Sequence, residues 1–391
     1  MIPGQSLSET SPPAGIYIHV PFCLAKCPYC DFYSITDRKQ IPDYLDALLL
    51  EINQCQVVLP AVDTIYFGGG TPSTLSPRQI ERVLETLCDR FPVDPAAEIT
   101  LEMNPGTADR KKLSGYRAAG IGRLNIGLQS LNDQTLQWLG RIHDVRQGLD
   151  AFRWARAAGF DNIGLDLIYG IPGQTEKKWA EELSAAVDMD AEHLSCYTLT
   201  LEPGTPLSMK VEKGRVTPLD EDTTGALFSF TSEFLSHHGY RQYEVSNYAR
   251  VSGSDTKDYR SRHNRKYWTF APYLGIGPAA HSFMDNRRWW NHRSIKAYLS
   301  AINSGQSPIA EMETLTPEQQ IMEYIYLGLR QTQGIDTLDF ESRFELNFYR
   351  WYEHEISLLL NDELLEIHHQ YIRTTARGMR FLDQVVDRLI G

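Results

Sequence analysis

The alternation of strand-like and helix-like segments over the first two-thirds of the chain constrains its fold more than any other feature. Short apolar runs at 16–20 and 64–67 are typical of strands, and the amphipathic run at 43–56 is typical of a helix. Six such strand–helix units follow one another up to residue 238. Because strands that alternate with helices form a parallel sheet, we expect an α/β fold, closed either as a doubly wound sheet or as a barrel-like sheet.

The last third of the chain has a different pattern. Residues 250–300 are rich in Arg, His, Asn, Tyr and Trp and interrupt the alternation. The segments that follow have the order of a winged-helix module, with helical runs at 316–329, 337–346 and 349–361, a hairpin at 365–374 and a helix at 376–390. We therefore divide the chain into a flexible N-terminus at 1–14, the βα sheet at 15–245, a connecting segment at 246–305 and a smaller C-terminal α+β domain, winged-helix-like, at 306–391.

The composition excludes several classes of protein. Hydrophobic residues make up 42% and charged residues 23% of the 391 residues, which is typical of a folded globular chain and not of a disordered one. The net charge of −12 argues against a nucleic-acid partner, because binding to phosphates depends on Lys and Arg. No apolar run reaches the about 18 residues of a membrane span. Residues 1–13 lack the pattern of a secretory signal, so we expect a cytoplasmic protein.

Three of the six cysteines lie within eight residues, directly after the first predicted strand. Cys23, Cys27 and Cys30 have the spacing C-x3-C-x2-C, and a disulfide framework is unusual in a cytosolic chain of this size. Three thiolates on one loop can hold three irons of a [4Fe–4S] cube, whose fourth iron then stays open to a small molecule that chelates through amine and carboxylate. The alternative is a zinc site, for which His19 is a candidate fourth ligand.

Glycines and polar residues stand where the later predicted strands end. Gly68, Gly69 and Gly70 follow the second strand and allow a ligand to approach the backbone closely. Polar side chains replace the expected apolar ones at or near the ends of strands three to five, at Glu102, Gln129 and Asp166. Because the carboxyl ends of parallel strands meet at one mouth, we expect these side chains to lie close together.

The cysteine spacing in this context resembles the radical S-adenosylmethionine superfamily. The resemblance rests on C-x3-C-x2-C, with Tyr29 before the last cysteine, at the end of the first strand of six βα units. It implies a partial (βα)6 TIM-type barrel whose open iron binds the amino and carboxylate groups of S-adenosylmethionine. In the group of oxidase-like proteins described next, the resemblance implies contacts with this cofactor for Tyr17, Gly69, Gly70, Thr71, Pro72, Glu102, Gln129, Arg141 and Asp166, with Arg141 paired to its carboxylate.

Three sequence segments resemble the oxygen-independent coproporphyrinogen III oxidase group, at 17–23, 127–130 and 166–175. This group has two branches. The oxidases carry a further Cys two residues after the last cluster ligand, where this chain has Phe32, and a longer N-terminal extension. The HemW-type heme chaperones carry the motif H-N-x-x-Y-W, and this chain matches it with His263, Asn264, Tyr267 and Trp268. The resemblance therefore favours the chaperone branch.

Chaperone function implies that the chain binds heme as well as the [4Fe–4S] cluster and S-adenosylmethionine. The imidazole of His263 is a candidate axial ligand of the heme iron, with His281 and His292 as alternatives. The implied partners are a heme-acceptor protein such as a respiratory cytochrome and a donor of the bacterioferritin type, and a dimer is possible. The alternative is an enzyme that converts the propionates of coproporphyrinogen III to vinyl groups by radical oxidative decarboxylation, so whether the chain is an enzyme stays open.

Overall fold

The computed structural model describes residues 12–251 and 257–391, so residues 1–11 of the predicted flexible N-terminus lie outside the described part. The described strands are β1 (Ala14–Val20), β2 (Val62–Gly69), β3 (Val93–Met103), β4 (Arg123–Gln129), β5 (Ile163–Tyr169), β6 (His193–Thr198), β7 (Tyr240–Gln242), β8 (Asn247–Arg250), β9 (Tyr273–Ile276), β10 (His281–Met284), β11 (Arg287–Asn291), β12 (Ile309–Thr314), β13 (Ile335–Asp336), β14 (Leu365–His368) and β15 (Tyr371–Thr374).

The helices pack around these strands and connect them. They are α1 (Ile41–Gln54), α2 (Pro77–Arg90), α3 (Arg110–Ala118), α4 (Asp133–Trp138), α5 (Val145–Ala157), α6 (Glu176–Asp188), α7 (Pro206–Glu212), α8 (Glu221–His237), α9 (Arg262–Trp268), α10 (Ile295–Asn303), α11 (Pro317–Leu329), α12 (Thr337–Phe344), α13 (Phe348–Trp351), α14 (Glu353–Asn361), α15 (Ala376–Arg380) and α16 (Leu382–Ile390). None of the described helices is long and apolar enough to cross a membrane.

Strands β1 to β6 form a parallel sheet in which each strand lies beside the one that precedes it in the chain. A doubly wound sheet reverses its strand order at a switch point, so this order selects the barrel-like closure. The barrel is partial, because β1 pairs with β9 and β6 pairs with β8 on their outer sides. The expected α/β fold with a parallel sheet is therefore confirmed.

The two faces of these strands differ in polarity. In β1, Ile16, Ile18 and Val20 belong to the apolar core shared with the helices, whereas Tyr17 and His19 alternate with them. The same period of two continues through the other barrel strands. We call the space that β1 to β6 enclose the barrel lumen, and its polar lining is Tyr17, His19, Thr64, Tyr66, Glu98, Thr100, Glu102, Arg123, Asn125, Asp166, His193 and Ser195.

Residues 240–314, which contain the expected connecting segment at 246–305, extend the sheet at both edges. Strand β9 pairs with β1, and β10, β11 and β12 follow it in antiparallel order, so that the whole sheet has 12 strands. At the other edge β8 and β7 continue from β6. These strands are mostly three to six residues long, and such short strands leave too few alternating positions for a periodic signal.

The C-terminal part has its own core and its own small sheet. Strands β13, β15 and β14 form an antiparallel sheet separate from the large one. The apolar side chains beneath it, such as Leu329, Phe340 and Ile372, form a second core cluster. The order of helices, a hairpin and a final helix is the expected one, but the short strand β13 was not expected, and the predicted helices at 349–361 and 376–390 are each divided in two.

A buried carboxylate joins α1 to the sheet extension. Glu51 accepts hydrogen bonds from Tyr298 Oη (2.6 Å), Asn291 Nδ2 (2.6 Å) and the Gly277 amide (2.8 Å). Replacing Glu51 with Ala leaves the Tyr298 hydroxyl and the Gly277 amide without this acceptor, whereas Asn291 Nδ2 keeps the Gly277 carbonyl. Each unpaired buried donor costs about 1–3 kcal/mol, so we expect the free energy of unfolding to fall by about 3 kcal/mol. Chemical denaturation measures the change, with the exposed Asp46→Ala on the same helix as the control.

The pH dependence of this effect has a defined sign. Burial raises the pKa of Glu51 from 4.5 to about 7 in the folded chain. Protonation therefore favours the folded state, and the contribution is complete below pH 4.5 and lost as the pH rises through about 7. We expect the stability difference between the parent chain and Glu51→Ala to be larger at pH 5 than at pH 8, and an equal difference at both would contradict this.

Candidate functional site

The loop that carries the three clustered cysteines begins where β1 ends, and backbone hydrogen bonds hold its two ends together. The Cys23 amide donates to the Ile35 carbonyl at 2.9 Å, and the Ile35 amide donates to the Pro21 carbonyl at 2.7 Å. Within the loop the Cys30 amide donates to the Cys27 carbonyl at 3.2 Å. The structure thus places three half-buried free thiols on one short closed loop at the barrel mouth.

Two donors from other elements reach the sulfurs of this loop. Thr71 Oγ1 lies 3.5 Å from Cys23 Sγ, and Arg141 Nη1 lies 3.4 Å from Cys27 Sγ. Burial raises the pKa of the Cys30 thiol. Hydrogen bonds to sulfur and a nearby guanidinium stabilise thiolates, which are the form that binds iron. The environment therefore suits iron ligation through Cys23 and Cys27.

The geometry does not suit the zinc alternative. Among the described residues, no three His, Cys, Asp or Glu side chains converge closely enough to hold a single ion. His19 Nε2 lies 2.9 Å from the Tyr33 carbonyl, and its Nδ1 lies 3.2 Å from Tyr17 Oη, so both nitrogens are engaged. Burial lowers the pKa of His19 to about 4, which keeps the ring neutral. Thiolates of a four-iron cube bind different irons and need not converge on one point.

The glycine run after β2 brings the backbone against the start of the cysteine loop. The Gly70 amide donates to the Val20 carbonyl at 2.9 Å, and the next amide, from Thr71, donates to the Phe22 carbonyl at 2.8 Å. Gly69 has φ +105°, a conformation that L residues rarely adopt. The glycine run therefore fixes the start of the cysteine loop and also faces the barrel mouth.

Replacing Gly70 with Ala tests this close approach. A Cβ at this position would lie 2.9 Å from the carbonyl oxygens of Val20 and Phe22, which are backbone atoms that cannot turn away. We expect the free energy of unfolding to fall by about 1–3 kcal/mol, and the reconstituted chain to retain less iron. Gly122→Ala is the control, because the neighbour nearest to its Cβ, the Ile99 carbonyl oxygen, lies 4.0 Å away. Equal iron retention in both variants would show that the contact is unimportant.

A polar cavity of about 90 Å³ lies at the mouth between β2 and β5. Ten residues line it: Gly70, Thr71, Glu102, Met103, Asn104, Asn125, Gly127, Gln129, Arg141 and Asp166. A drug-sized ligand ordinarily occupies about 300–1,000 Å³, so the cavity can take only part of a molecule as large as S-adenosylmethionine. The structure therefore brings together at one place the polar strand ends that the sequence analysis singled out.

Charged atoms inside this cavity lack partners. Asn125 Nδ2 donates to Asp166 Oδ2 at 2.7 Å, but Asp166 Oδ1 has no hydrogen-bond partner among the described residues. Arg141 uses one terminal nitrogen on Gly127 O at 2.9 Å, and its Nε is also buried without a partner in the described chain. Burial raises the pKa of Glu102 to about 7. Because buried polar groups are almost always paired, these atoms fit a ligand with both cationic and anionic groups.

The end of β4 is distorted where it meets the cavity. Gln129 has φ +69°, in the left-handed region, and the pairing of β4 with β5 shifts register between Ile126 and Gln129. Such irregularities cost energy and often aim a side chain at a functional site. The distortion places Gln129 in the cavity lining.

Three predicted contact residues do not line the cavity. The Tyr17 ring stacks on Tyr66 with centroids 6.2 Å apart, Gly69 faces the His19 ring, and Pro72 is buried in the turn after β2. Their contacts with S-adenosylmethionine stay predictions. Sequence reasoning missed Asn125, although it has the same strand alternation as Gln129 and could have been found from that signal.

The residues of the H-N-x-x-Y-W motif lie on α9, away from this cavity. His263 is 1% exposed, and its Nδ1 and Nε2 lie 2.9 Å from Thr64 Oγ1 and from Tyr267 Oη. Trp268 packs under the Arg330 guanidinium at 4.6 Å, and the Asn264 backbone amide donates to the hydroxyl of Ser261, which caps the helix start. Iron ligation by His263 stays a prediction, but in this structure neither of its nitrogens is available to an external ligand.

The two alternative histidines are more accessible. His281 is exposed on β10, and its ring stacks on Trp290 with centroids 5.5 Å apart. His292 is half-buried after β11, and its amide donates to the Pro308 carbonyl. Of the three histidines considered as iron ligands, His281 is therefore the one whose ring is most open to a bound molecule.

Comparison with known families agrees with this geometry. The radical SAM superfamily matches residues 17–186, and the HemN C-terminal domain matches residues 315–381. Among solved structures, the coproporphyrinogen III oxidase HemN from Escherichia coli has a TM-score of 0.82 at 24% identity, covering 97% of this chain and 90% of that one. At this identity the likeness shows the fold alone.

Curated relatives match from about two-thirds to the whole of the chain. A protein named heme chaperone HemW from Mycobacterium tuberculosis is 34% identical, covering 100% of this chain and 96% of the relative. Proteins of the same name from Bacillus subtilis and Escherichia coli are 32% and 38% identical, covering 96% and 71% of this chain and 98% and 72% of the relatives. The chain therefore belongs to the radical SAM superfamily and, within it, to the family of proteins named heme chaperone HemW.

Proposed function

We propose that this chain is a heme chaperone that binds heme and delivers it to an acceptor protein. The observation that carries the proposal is the match over the whole chain to several relatives named heme chaperone HemW. The chaperone motif at 263–268 is present, and Phe32 stands where the oxidases have a further cysteine. A cytoplasmic location, a dimeric state, a respiratory cytochrome as acceptor and a bacterioferritin-type donor stay predictions.

The chain's own residues would hold the two cofactors that the superfamily implies. Cys23, Cys27 and Cys30 would hold a [4Fe–4S] cluster on their closed loop. The cavity beside it would hold the polar end of S-adenosylmethionine, with Arg141 facing a carboxylate and Asp166 accepting from amine or hydroxyl groups. When bound, the cluster supplies one-electron reduction at S-adenosylmethionine. Thr71 and Arg141 direct hydrogen bonds to two of the cysteine sulfurs.

Heme needs a ligand for its iron, and accessibility favours His281. Its imidazole is exposed, and its stacking on Trp290 holds the ring in one orientation at the edge of the sheet extension. His263 would have to break two hydrogen bonds and leave the barrel lumen to reach an iron. We therefore propose His281 as an axial ligand beside the predicted His263, a role that a histidine nitrogen fills well.

The second candidate function, oxidative decarboxylation of coproporphyrinogen III, has less support. The structural match to the oxidase shows a shared fold only, and the full-length relatives are named as chaperones. One experiment distinguishes the chaperone function from the oxidase function. The anaerobically reconstituted chain is titrated with heme, and a parallel sample receives coproporphyrinogen III, S-adenosylmethionine and dithionite.

We expect one heme to bind per chain, seen as a saturable Soret band, and no vinyl-containing product. The His281→Ala variant should weaken heme binding, and the exposed His237→Ala on α8 should leave it unchanged. Product formation without heme binding would overturn the chaperone proposal and establish the oxidase.

A further inference from the structure

A guanidinium lies deep in the barrel lumen, beneath the cavity at the mouth. Arg123, at the start of β4, is 2% exposed, and its Nε and Nη2 have no hydrogen-bond partner among the described residues. Three buried carboxylates lie close enough for Arg123 to lower their pKa values, those of Glu98, Glu102 and Asp166. A buried charge is costly unless opposite charges lie near it, so the guanidinium and these carboxylates stabilise one another.

Gly164 of β5 leaves room for the guanidinium at this level of the lumen. Asn125, Gly164 and His193 are neighbours across β4, β5 and β6. A Cβ on Gly164 would overlap Asn125 Oδ1 and would lie 3.3 Å from both Arg123 Nη2 and His193 Nδ1. The polar ends of these side chains therefore border one small space, which exists because residue 164 has no side chain.

Asn125 connects this space to the cavity at the mouth. Its Oδ1 borders the same space as Arg123 Nη2, and its Nδ2 donates to Asp166 Oδ2 at 2.7 Å. Asn125 and Asp166 both line the cavity, whereas Arg123 does not. One side chain therefore separates the buried guanidinium from the carboxylate that faces the ligand.

The charge of Arg123 opposes the effect of burial on the two carboxylates of the cavity. Burial raises the pKa of Glu102 to about 7 and also raises the pKa of Asp166, and Arg123 lowers both. Arg141 also faces Asp166, from the mouth. The other titratable groups that face the two carboxylates have pKa values raised by burial and stay neutral: Tyr17, Tyr66, Cys196, Tyr197 and Tyr267.

We propose that Arg123 is a positioning residue of the S-adenosylmethionine cavity, whose guanidinium is the counter-charge that keeps Glu102 and Asp166 anionic and whose contact with the space beside Asn125 orients Asp166. The proposal rests on the proposed function, which assigns this cavity to S-adenosylmethionine. The sulfonium of that ligand is permanently cationic, so anionic carboxylates in the cavity attract it and neutral ones do not.

The pH dependence of ligand binding tests the counter-charge. Parent chain, Arg123→Met and Arg123→Lys are reconstituted to equal iron content, and the dissociation constant for S-adenosylmethionine is measured by equilibrium dialysis from pH 6 to pH 9. We expect the affinity of the parent chain to rise with pH through about 7, where Glu102 ionises. Arg123→Met should move this midpoint upward by about one pH unit and weaken binding roughly 10-fold at pH 7.

The comparison between variants separates this effect from other causes. The amine of the ligand titrates near about 7.7–8.0 in every sample, so it does not contribute to a difference between proteins. Arg123→Lys keeps a cation and should keep the midpoint of the parent chain. Arg82→Met, on a 63% exposed side chain of α2, should leave the whole profile unchanged. A midpoint that does not move in Arg123→Met, with binding weakened equally at every pH, would overturn the proposal.

Gly164→Ala tests the connection through Asn125 and remains available if Arg123→Met does not fold. The added methyl group displaces the Asn125 side chain and leaves the guanidinium in place. We expect it to weaken S-adenosylmethionine binding by a few-fold, because Asp166 loses a hydrogen bond that orients it, and to keep the pH midpoint of the parent chain. An unchanged dissociation constant would overturn the orienting role.

The stability of the full chain provides a readout that does not depend on the ligand. Without Arg123, Glu98, Glu102 and Asp166 hold their protons to higher pH in the folded state, so the folded state loses stability more steeply as the pH rises. Glu98 also faces Tyr243, Arg262 and Lys266, which are present in both proteins. Chemical denaturation should show a larger loss of stability in Arg123→Met, relative to the parent chain, at pH 9 than at pH 5.

This measurement also distinguishes the two ways in which the account can fail. An equal loss of stability at pH 5 and pH 9 would overturn the counter-charge role of Arg123. Failure of the parent chain to bind S-adenosylmethionine at any pH would instead overturn the cofactor site of the proposed function, and the stability comparison would still decide whether Arg123 is the counter-charge.

Discussion

Replacing Cys23, Cys27 or Cys30 singly with Ser is expected to abolish the broad iron–sulfur absorption of the anaerobically reconstituted chain. Each thiolate would hold a different iron of the cluster, so the loss of one leaves that iron without its protein ligand. Iron and sulfide content per chain, with the visible spectrum, measures the effect.

Cys88→Ser is the matched control for these variants. Cys88 is an exposed free thiol on α2, outside the cysteine loop, so its replacement should leave the iron content at the level of the parent chain. Full iron retention in any one of the three loop variants would contradict the proposed ligand set. Loss in the Cys88 variant as well would show that the reconstitution itself is nonspecific.

Replacing Arg141 with Met is expected to weaken S-adenosylmethionine binding roughly 10- to 150-fold, which corresponds to the about 1.5–3 kcal/mol of a hydrogen bond to a charged group. The guanidinium lines the cavity, and its Nε is buried without a partner among the described residues. An uncharged side chain offers nothing to the carboxylate. Equilibrium dialysis of the reconstituted variant measures the dissociation constant.

The contact between Arg141 and Cys27 makes iron content a necessary check. Only preparations of Arg141→Met with the same iron per chain as the parent should be compared. Arg146→Met is the control, because that side chain is 89% exposed and forms a 4.0 Å ion pair with Asp150. An Arg141→Met variant that folds, holds iron and binds S-adenosylmethionine as the parent does would remove Arg141 from the site.

Much of the fold could be predicted because the barrel strands carry a clear alternation. The strand expected at 16–20 lies within β1, since Ile16, Ile18 and Val20 alternate with Tyr17 and His19. The sheet extension could not be predicted in this way. Strand β9 pairs with β1, which lies far from it in sequence, so only tertiary contacts show that the segment belongs to the sheet.

Site residues could be predicted where a local sequence pattern marks them. They could not be predicted where their environment depends on residues far away in the chain. The spacing of three cysteines and the polar strand ends are visible in the sequence, and the structure gathers the polar strand ends in one cavity. The environment of His263 depends on Thr64, which is 199 residues away in the chain. A motif that is read as an exposed ligand can therefore be a buried part of the barrel, and the sequence alone contains no signal of that.

The central claim is that this chain delivers heme, and heme transfer tests it most directly. The reconstituted, heme-loaded chain is mixed anaerobically with membrane vesicles that contain a heme-free respiratory cytochrome, and the cytochrome spectrum is followed with time. Albumin loaded with the same amount of heme serves as the nonspecific carrier. The account predicts faster formation of the cytochrome from this chain than from albumin. Equal rates from both carriers would contradict it.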